Sequence, residues 1–112
     1  NMDEVNNLGT TLLKDLESLD ENTFNEIFDG VPSNILSKKK LLQEIEIENL
    51  LATETSFLKS ISEARRAIKE NSISINKKKI SGNTKITKDD LINGKYILLQ
   101  RGKKNYYLVI VN

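Results

Sequence analysis

The sequence predicts an α+β fold in which two helices pack on a small, mainly antiparallel twisted sheet, preceded by an N-terminal helical lead-in. Three patterns predict this fold. Residues 60–70 read as a capped amphipathic helix, and residues 72–76 alternate polar and apolar side chains as a half-buried strand does. Two strongly strand-forming segments follow, Tyr96–Gln100 and Tyr106–Val111. The length of 112 residues suits one small domain with an appended helical segment.

Residues 1–43 are expected to form a helical lead-in and linker, and residues 44–112 the folded domain. Apolar residues recur at helical spacing within the first 19 residues. Asp20 is a suitable N-cap for a second short helix, which Gly30 and Pro32 end in the usual stop arrangement. The residues expected to pack inward are Val5, Leu8, Leu12, Leu13, Leu16 and Leu19, then Phe24, Ile27 and Phe28.

The stretch between the lead-in helices and the first helix of the domain is predicted to be mostly irregular. Ser33–Lys40 is interpreted as a connection, and its lysines at 38–40 either extend a nucleic-acid-binding surface or form a solvated linker run. Glu44–Glu48 alternates acidic residues with isoleucines, which indicates an extended or edge segment. Asn49–Thr55 is then expected to be a helix that buries Leu50 and Leu51.

The central helix is expected to bury one face and to expose a basic one. Ser60 and Glu63 match a capping box, in which the serine hydroxyl accepts from the Glu63 amide and the glutamate accepts from the Ser60 amide. A basic face beside a buried face suits phosphate contact, but an ordinary solvated helix with i, i+4 charge pairs has the same pattern. The apolar stripe comprises Ile61, Ala64, Ala67 and Ile68, and the neighbouring sector carries Ser62, Arg65, Arg66 and Lys69.

A tight turn and a basic hairpin are predicted after this helix. Asn71-Ser72 can leave the helix through a left-handed conformation, and Ile73 and Ile75 then alternate with serines. Asn76-Lys77-Lys78 is expected to turn the chain, with Lys79-Ile80 beginning the return strand. The lysines at 77–79 are therefore expected at a hairpin tip near the basic helix face.

The two C-terminal strands are predicted to form a hairpin with a basic loop. Residues 101–105 have hairpin length, Gly102 and Asn105 can take positive φ, and the loop carries the cations Arg101, Lys103 and Lys104. Tyr106 or Tyr107 could stack on a base, but packing in the sheet is the simpler interpretation for each ring.

Composition excludes several classes of function. The chain has no cysteine and no histidine, which excludes disulfides, the usual zinc sites and catalysis based on either residue. Asp89-Asp90 lacks a third ligand or a partner base, and we interpret it as a turn or helix cap. No apolar run reaches membrane-spanning length and no signal peptide is evident, so a cytoplasmic protein is expected. Asn1-Met2 is an unusual beginning that indicates a cloning scar and a fragment of a longer protein.

The net charge of +1 conceals a marked asymmetry. Residues 1–54 contain 12 acidic residues and 4 lysines, whereas residues 55–112 contain 4 acidic residues and 13 basic ones. Such segregation indicates nucleic-acid contact by the basic half. It is also consistent with attraction between the two halves of the molecule.

Two resemblances follow from these residues. Leu58–Lys69 with Ile73–Asn76 resembles the RNA-binding domain named after protein four of the small ribosomal subunit, except that Asn71-Ser72 stand where that family usually has glycines. The order of segments, with Gly30-Val31-Pro32 early and K-Y-I-L-L-Q-R-G-K-K-N-Y-Y at residues 95–107, is similar to the C-terminal end of bacterial tyrosyl-tRNA synthetases. The surroundings of residues 37–43 depart from the usual family segment.

The resemblance implies a tRNA-binding module that holds the long variable arm of tyrosine tRNA, tRNA(Tyr). It implies a parent enzyme, homodimeric through its catalytic domain, that joins tyrosine to tRNA with ATP and Mg²⁺. The adenylate-binding motifs of that catalytic domain are absent here, so this chain is expected to bind RNA, hold no cofactor and catalyse nothing. The predicted RNA-binding residues are Lys59, Ser60, Ser62, Arg65, Arg66, Lys69, Asn76, Lys77, Lys78 and Lys79, followed by Arg101, Lys103 and Lys104. Capping or turn formation explains Ser60, Ser62 and Asn76 equally well.

Two alternatives remain open at this point. The domain could be an rRNA-binding arm of a pseudouridine synthase or of a ribosome-associated factor, since such proteins carry the same RNA-binding motif. It could instead be a structural or protein-interaction appendage whose acidic half docks on its basic half.

Overall fold

The computed structural model describes residues 20–112, and the helix expected within residues 5–19 lies outside them. The helices are α1 (Glu21–Ile27), α2 (Lys38–Leu42), α3 (Ile47–Ala52) and α4 (Ile61–Lys69), with a 3₁₀ turn at Lys88–Asp90. The strands are β1 (Ser33–Leu36), β2 (Ile45–Glu46), β3 (Ile73–Ile75), β4 (Lys78–Lys79), β5 (Lys85–Ile86), β6 (Tyr96–Arg101) and β7 (Asn105–Val111).

Five of these strands form one mixed sheet in the order β1-β7-β6-β3-β4. The β6–β7 hairpin is its centre, with Arg101 opposite Asn105, and β3 adds antiparallel to β6 with Ile73 opposite Arg101. Only β1 is parallel to its neighbour in this sheet, and β2 and β5 form a separate antiparallel pair. The predicted α+β fold with a mainly antiparallel sheet is confirmed.

Alternation along the central strands gives the sheet two buried faces. Ile97, Leu99 and Val109 lie in a cluster with the apolar residues of α3 and α4. Leu98 and Leu108, which point the other way, lie in a second cluster with α1. The described molecule therefore has three layers, with α3 and α4 on one face of the sheet and α1 on the other.

Helix α1 forms where the sequence predicts it. The Asp20 carboxylate accepts a hydrogen bond from the Thr23 amide at 2.7 Å, which lowers the pKa of Asp20 and caps the helix. Phe24 is fully buried, with its ring centroid 4.3 Å from that of Tyr96 and 4.6 Å from that of Phe28. Gly30 follows the helix with a φ of +87°.

Residues 33–40 are not the connection that their composition predicts. They contain β1, in which Asn34 pairs with Val109 of β7, and the start of α2, where the Lys38 amide donates to the Asn112 carbonyl at 3.1 Å. Both elements are too short to show a sequence period and are held by contacts with the far end of the chain. The division between residues 1–43 and 44–112 stays a prediction, but β1 shares a sheet with the C-terminal strands.

The next segment also differs from its prediction. Only Ile45–Glu46 of the alternating stretch is extended, because α3 already begins at Ile47. The helix ends at Ala52 rather than at Thr55, whose buried hydroxyl lies within hydrogen-bonding distance of the Leu50 and Leu51 carbonyls, at 2.7 and 3.1 Å. The predicted burial of Leu50 and Leu51 is confirmed. Among residues 20–112, no helix combines the length and apolar character needed to cross a bilayer.

Candidate nucleic-acid interface

Helix α4 presents the two faces that its sequence predicts. The Ser60 hydroxyl accepts from the Glu63 amide at 3.1 Å, while Ala64, Ala67 and Ile68 are buried and Ile61 is half-buried. Only the serine half of the predicted capping box is formed. The Glu63 carboxylate accepts from the amide of Lys59, at 3.2 Å, rather than from that of Ser60. The cap fixes the start of the helix and so the rotation of its exposed face.

The exposed face of α4 carries Ser62, Arg65, Arg66 and Lys69, all accessible to solvent. Within the described part of the chain, no carboxylate lies within ion-pair distance of these three cations. We call this surface the cationic face. Its charges are available to an external anion, since no internal partner among residues 20–112 neutralises them.

A groove of about 470 Å³ lies beside the start of α4, and we call it the N-terminal groove. Its walls are the segment leading into α4, with Phe57 and Lys59, and the β6–β7 hairpin, with Arg101 and Lys104. Glu63 stands between the walls and accepts from the Arg101 guanidinium at 2.7 Å. That bond, together with the hydrogen bond from the Lys59 amide, lowers the pKa of the Glu63 carboxyl.

A second groove, of about 420 Å³, lies beside the end of α4, and we call it the C-terminal groove. Arg65 and Lys69 line it from the helix, and Ile80 and Gly82 line it from the chain after β4. Glu48 contributes one acidic side chain. The cationic face is thus continuous with a concave surface whose cations outnumber its acids.

The turn after α4 brings one hairpin lysine to the helix. Asn71 takes the left-handed conformation that the sequence predicts, with a φ of +61°. The Lys79 ammonium donates to the Asn71 carbonyl at 2.7 Å, which anchors Lys79 at the C-terminal end of α4. Lys78, the other residue of β4, is exposed.

The β3–β4 turn divides the hairpin lysines instead of grouping them. The turn consists of Asn76 and Lys77, both with positive φ (+51° and +70°), so the return strand begins at Lys78, one residue earlier than predicted. Lys77 reaches the α1 side of the sheet, where its ammonium donates to the Tyr106 hydroxyl at 3.1 Å. Lys77 therefore lies on the opposite sheet face from α4.

Asn76 is nearly buried, with 6% of its surface exposed, and its side chain is already engaged. Its amide group donates to the Asp90 carbonyl, and its carbonyl oxygen accepts from the Leu98 amide at 2.7 Å. One bond therefore joins the β3–β4 turn to β6, and the other joins it to the 3₁₀ turn at Lys88–Asp90. Ser60 is similarly used as the helix cap, whereas the cationic residues of α4 have no such internal role.

The β6–β7 loop is shorter than the predicted residues 101–105, because Arg101 ends β6 and pairs with Asn105 at the start of β7. Gly102 has a φ of +68°, and Lys103 and Lys104 are exposed. Tyr106 and Tyr107 are both buried, on opposite faces of the sheet, and each hydroxyl has a partner. Their burial in the sheet supports the simpler interpretation of these tyrosines.

Sequence reasoning missed two participants in this surface. Phe57 lies outside the predicted set of RNA-binding residues, yet it lines the N-terminal groove. The Glu63–Arg101 ion pair joins positions 38 residues apart, and no local pattern indicates it.

Asp89-Asp90 belongs to a capped 3₁₀ turn, in which the Thr87 amide donates to the Asp90 carboxylate at 2.8 Å. No cluster of acidic side chains suited to a metal ion occurs within the described residues.

The comparisons with family models and with curated proteins agree on one family. A family model described as the tyrosine–tRNA ligase SYY-like C-terminal domain matches residues 23–109. The tyrosine–tRNA ligase of Flavobacterium johnsoniae is 47% identical over 103 residues, which cover 92% of this chain and 24% of that protein. The tyrosine–tRNA ligase of Porphyromonas gingivalis is 36% identical over 104 residues, with the same two coverages. The chain thus spans about a quarter of the length of these curated relatives.

A solved structure shares the fold. The solution structure of a tyrosyl-tRNA synthetase C-terminal domain superposes with a TM-score of 0.65 at 23% identity, covering 88% of this chain and 95% of the other. The resemblance to bacterial tyrosyl-tRNA synthetases is therefore confirmed at the level of sequence and fold. This chain belongs to the family of the tyrosine–tRNA ligase SYY-like C-terminal domain.

Proposed function

We propose that this chain is the tRNA-binding C-terminal domain of a tyrosine–tRNA ligase, and that it holds tRNA(Tyr) by its long variable arm. The observation that carries the proposal is the cationic face of α4, whose arginines have no acidic partner among residues 20–112. The names of the relatives support the choice of a tRNA as the partner.

The mode of binding follows from the residue types. Arg65, Arg66 and Lys69 contact phosphate and ribose, and the two grooves beside α4 admit the edges of a ribose–phosphate backbone. An RNA helix is recognised largely by shape through such contacts, because its deep major groove is closed to side chains. The domain therefore grips the arm as an A-form surface rather than reading its base pairs.

The remainder of the proposed parent protein performs the chemistry. A separate catalytic domain binds ATP and Mg²⁺, joins tyrosine to tRNA and forms the homodimer, and the enzyme acts in the cytoplasm. The present domain adds affinity for the tRNA and supplies no catalytic group.

The test is the affinity of this chain for a tRNA(Tyr) transcript, intact and with its variable arm shortened, across a salt series. We expect tight binding to the intact transcript, strong weakening by salt because phosphate contacts release counterions, and a large loss when the arm is shortened. Equal affinity for both transcripts, or affinity independent of salt, would contradict the proposal. Tighter binding to a ribosomal RNA stem would favour an rRNA-binding arm instead.

A pair of double variants tests the assignment of the surface. Replacing Arg65 and Arg66 by alanine should weaken binding and lower the slope of log affinity against log salt by about 2, since two phosphate contacts are lost. Lys38→Ala with Lys39→Ala removes the same charge from α2, at the other end of β7 from the basic loop, and should leave the slope unchanged. Equal effects of the two pairs would show that net charge alone governs binding.

A further inference from the structure

The N-terminal groove differs in character from the cationic face, because it combines aromatic and charged lining. Its volume of about 470 Å³ falls within the range of about 300–1,000 Å³ in which small ligands bind. Phe57 is half-buried and lines the groove, between the exposed Ser56 and the buried Leu58.

The ring of Phe57 is backed by a fixed aromatic neighbour. Its centroid lies 5.7 Å from that of Tyr107, at an interplanar angle of 46°. Tyr107 is buried, its hydroxyl donates to the Asn34 side-chain oxygen at 2.6 Å, and the same hydroxyl accepts from the Ser56 amide at 3.4 Å. The groove therefore has a preorganised aromatic surface on one side.

The charges of the groove favour an anion. Lys59 on one wall and Lys104 on the other are exposed, and neither has an ion pair within the part of the chain that the structure describes. Glu63, the acidic residue of the lining, already accepts from the Arg101 guanidinium and the Lys59 amide. The lining thus carries three cations and one acid, with Lys59 and Lys104 on opposite walls of the groove.

We propose that the N-terminal groove binds a single unpaired nucleotide of the RNA, with its base against Phe57 and its phosphate between Lys59 and Lys104. This inference rests on the proposed function and adds a second kind of contact to it. Unpaired bases are available in loops and bulges, and proteins stack them on aromatic side chains. A base paired inside a continuous duplex cannot reach the ring.

The test compares two RNAs and two kinds of variant of the full chain. One RNA is the intact tRNA(Tyr) transcript, and the other is a blunt duplex with the paired sequence of its variable arm and no unpaired residue. Phe57→Leu keeps an apolar side chain and the net charge but removes the stacking surface. We expect it to weaken binding of the transcript about tenfold, with the salt slope unchanged, and to leave binding of the duplex as in wild type.

Lys103 and Lys104 provide a matched pair, since they are neighbours in one loop and only Lys104 lines the groove. Lys104→Ala should lower the salt slope for the transcript by about 1, and Lys103→Ala should lower it less. These exposed lysines can be changed without affecting packing, so the comparison holds even if thermal unfolding shows Phe57→Leu to be destabilised.

The outcomes separate this inference from the proposed function. Suppose that wild type binds the transcript in a salt-sensitive way, that Phe57→Leu binds it with the same affinity, and that Lys103→Ala and Lys104→Ala lower the salt slope equally. That result would overturn the nucleotide site and leave the proposed function standing. Equal weakening of transcript and duplex by Phe57→Leu would also overturn it, because the effect would then be structural. No transcript binding by the wild type would overturn both.

Discussion

At the residue scale, Glu63 connects three parts of the candidate interface. Its carboxylate accepts from the Lys59 amide at the start of α4 and from the Arg101 guanidinium of β6. The sequence assigns Glu63 only to the helix cap and Arg101 only to RNA. The structure instead makes the two a pair, so that Arg101 reaches the groove from a fixed position.

Replacing Glu63 by glutamine should lower the thermal midpoint of unfolding at neutral pH. The pKa of the Glu63 carboxyl is lowered in the folded state, so its ionisation stabilises the fold above the usual glutamate pKa of about 4.3. That stabilisation disappears as the pH falls through the lowered folded-state pKa. The deficit of Glu63→Gln should therefore shrink on acidification, which circular dichroism melts from neutral pH downwards would measure.

Glu70→Gln is the matched control for this variant. Glu70 follows α4, is exposed, and forms no ion pair within residues 20–112. A negative charge at a helix C-terminus is unfavourable, so Glu70→Gln should not lower the midpoint. A Glu63→Gln deficit that stayed constant down to the most acidic folded condition would show that the loss is not due to the ionised pair.

Asn76→Ala should destabilise the fold by about 2–4 kcal/mol. It leaves the Leu98 amide and the Asp90 carbonyl without a partner in a nearly buried place, and alanine is strained at a φ of +51°. Urea unfolding measures the loss. Asn76→Gly removes the same hydrogen bonds without the strain and should cost about 1 kcal/mol less. A stable Asn76→Ala variant with weakened RNA binding would instead identify Asn76 as an RNA contact.

At the scale of elements, the sequence predicted correctly those elements whose capping residue, apolar periodicity and terminating residue all lie within one segment. Helix α4 has a serine cap, an apolar stripe and an asparagine that leaves the helix at positive φ. The β6–β7 hairpin has two apolar strands around a glycine-containing loop. Such elements could be predicted because the interactions that determine them lie within a few residues.

Elements that depend on distant partners could not be predicted in this way. β1 exists because residues 33–36 pair in parallel with residues 108–111, and nothing in Ser-Asn-Ile-Leu indicates that pairing. The return strand begins one residue earlier than predicted, at Lys78. A shift of one residue in a strand moves each side chain to the other face of the sheet, and the sequence therefore did not predict that Lys77 lies on the α1 side. The candidate site was predicted as a set of cations, but its division between sheet faces required the tertiary structure.

At the scale of the whole molecule, ion pairs within the described region do not neutralise the opposite charges of the acidic and basic halves. Of the ion pairs among residues 20–112, Lys95–Glu21 joins the acidic and basic halves at 2.9 Å. Lys40–Glu54 and Arg101–Glu63 each lie within one half. Most cations of the basic half therefore still face solvent, where they generate the potential that attracts an RNA.

The whole sheet also depends on residues before 44, which leads to a prediction about the domain boundary. A fragment of residues 44–112 lacks Phe24 and Phe28, which cover Tyr96 and Leu108, and it lacks the strand that pairs with β7. One face of the sheet would be exposed, so we expect this fragment to unfold without a cooperative transition and to bind a hydrophobic dye. Phe24→Ala in the full chain should remain cooperative while losing about 3–5 kcal/mol, because it leaves a cavity in the same cluster but keeps β1. Urea and thermal unfolding would measure both. If residues 44–112 alone unfolded cooperatively with the midpoint of the full chain, the division after residue 43 would be a true domain boundary and α1 only an attachment.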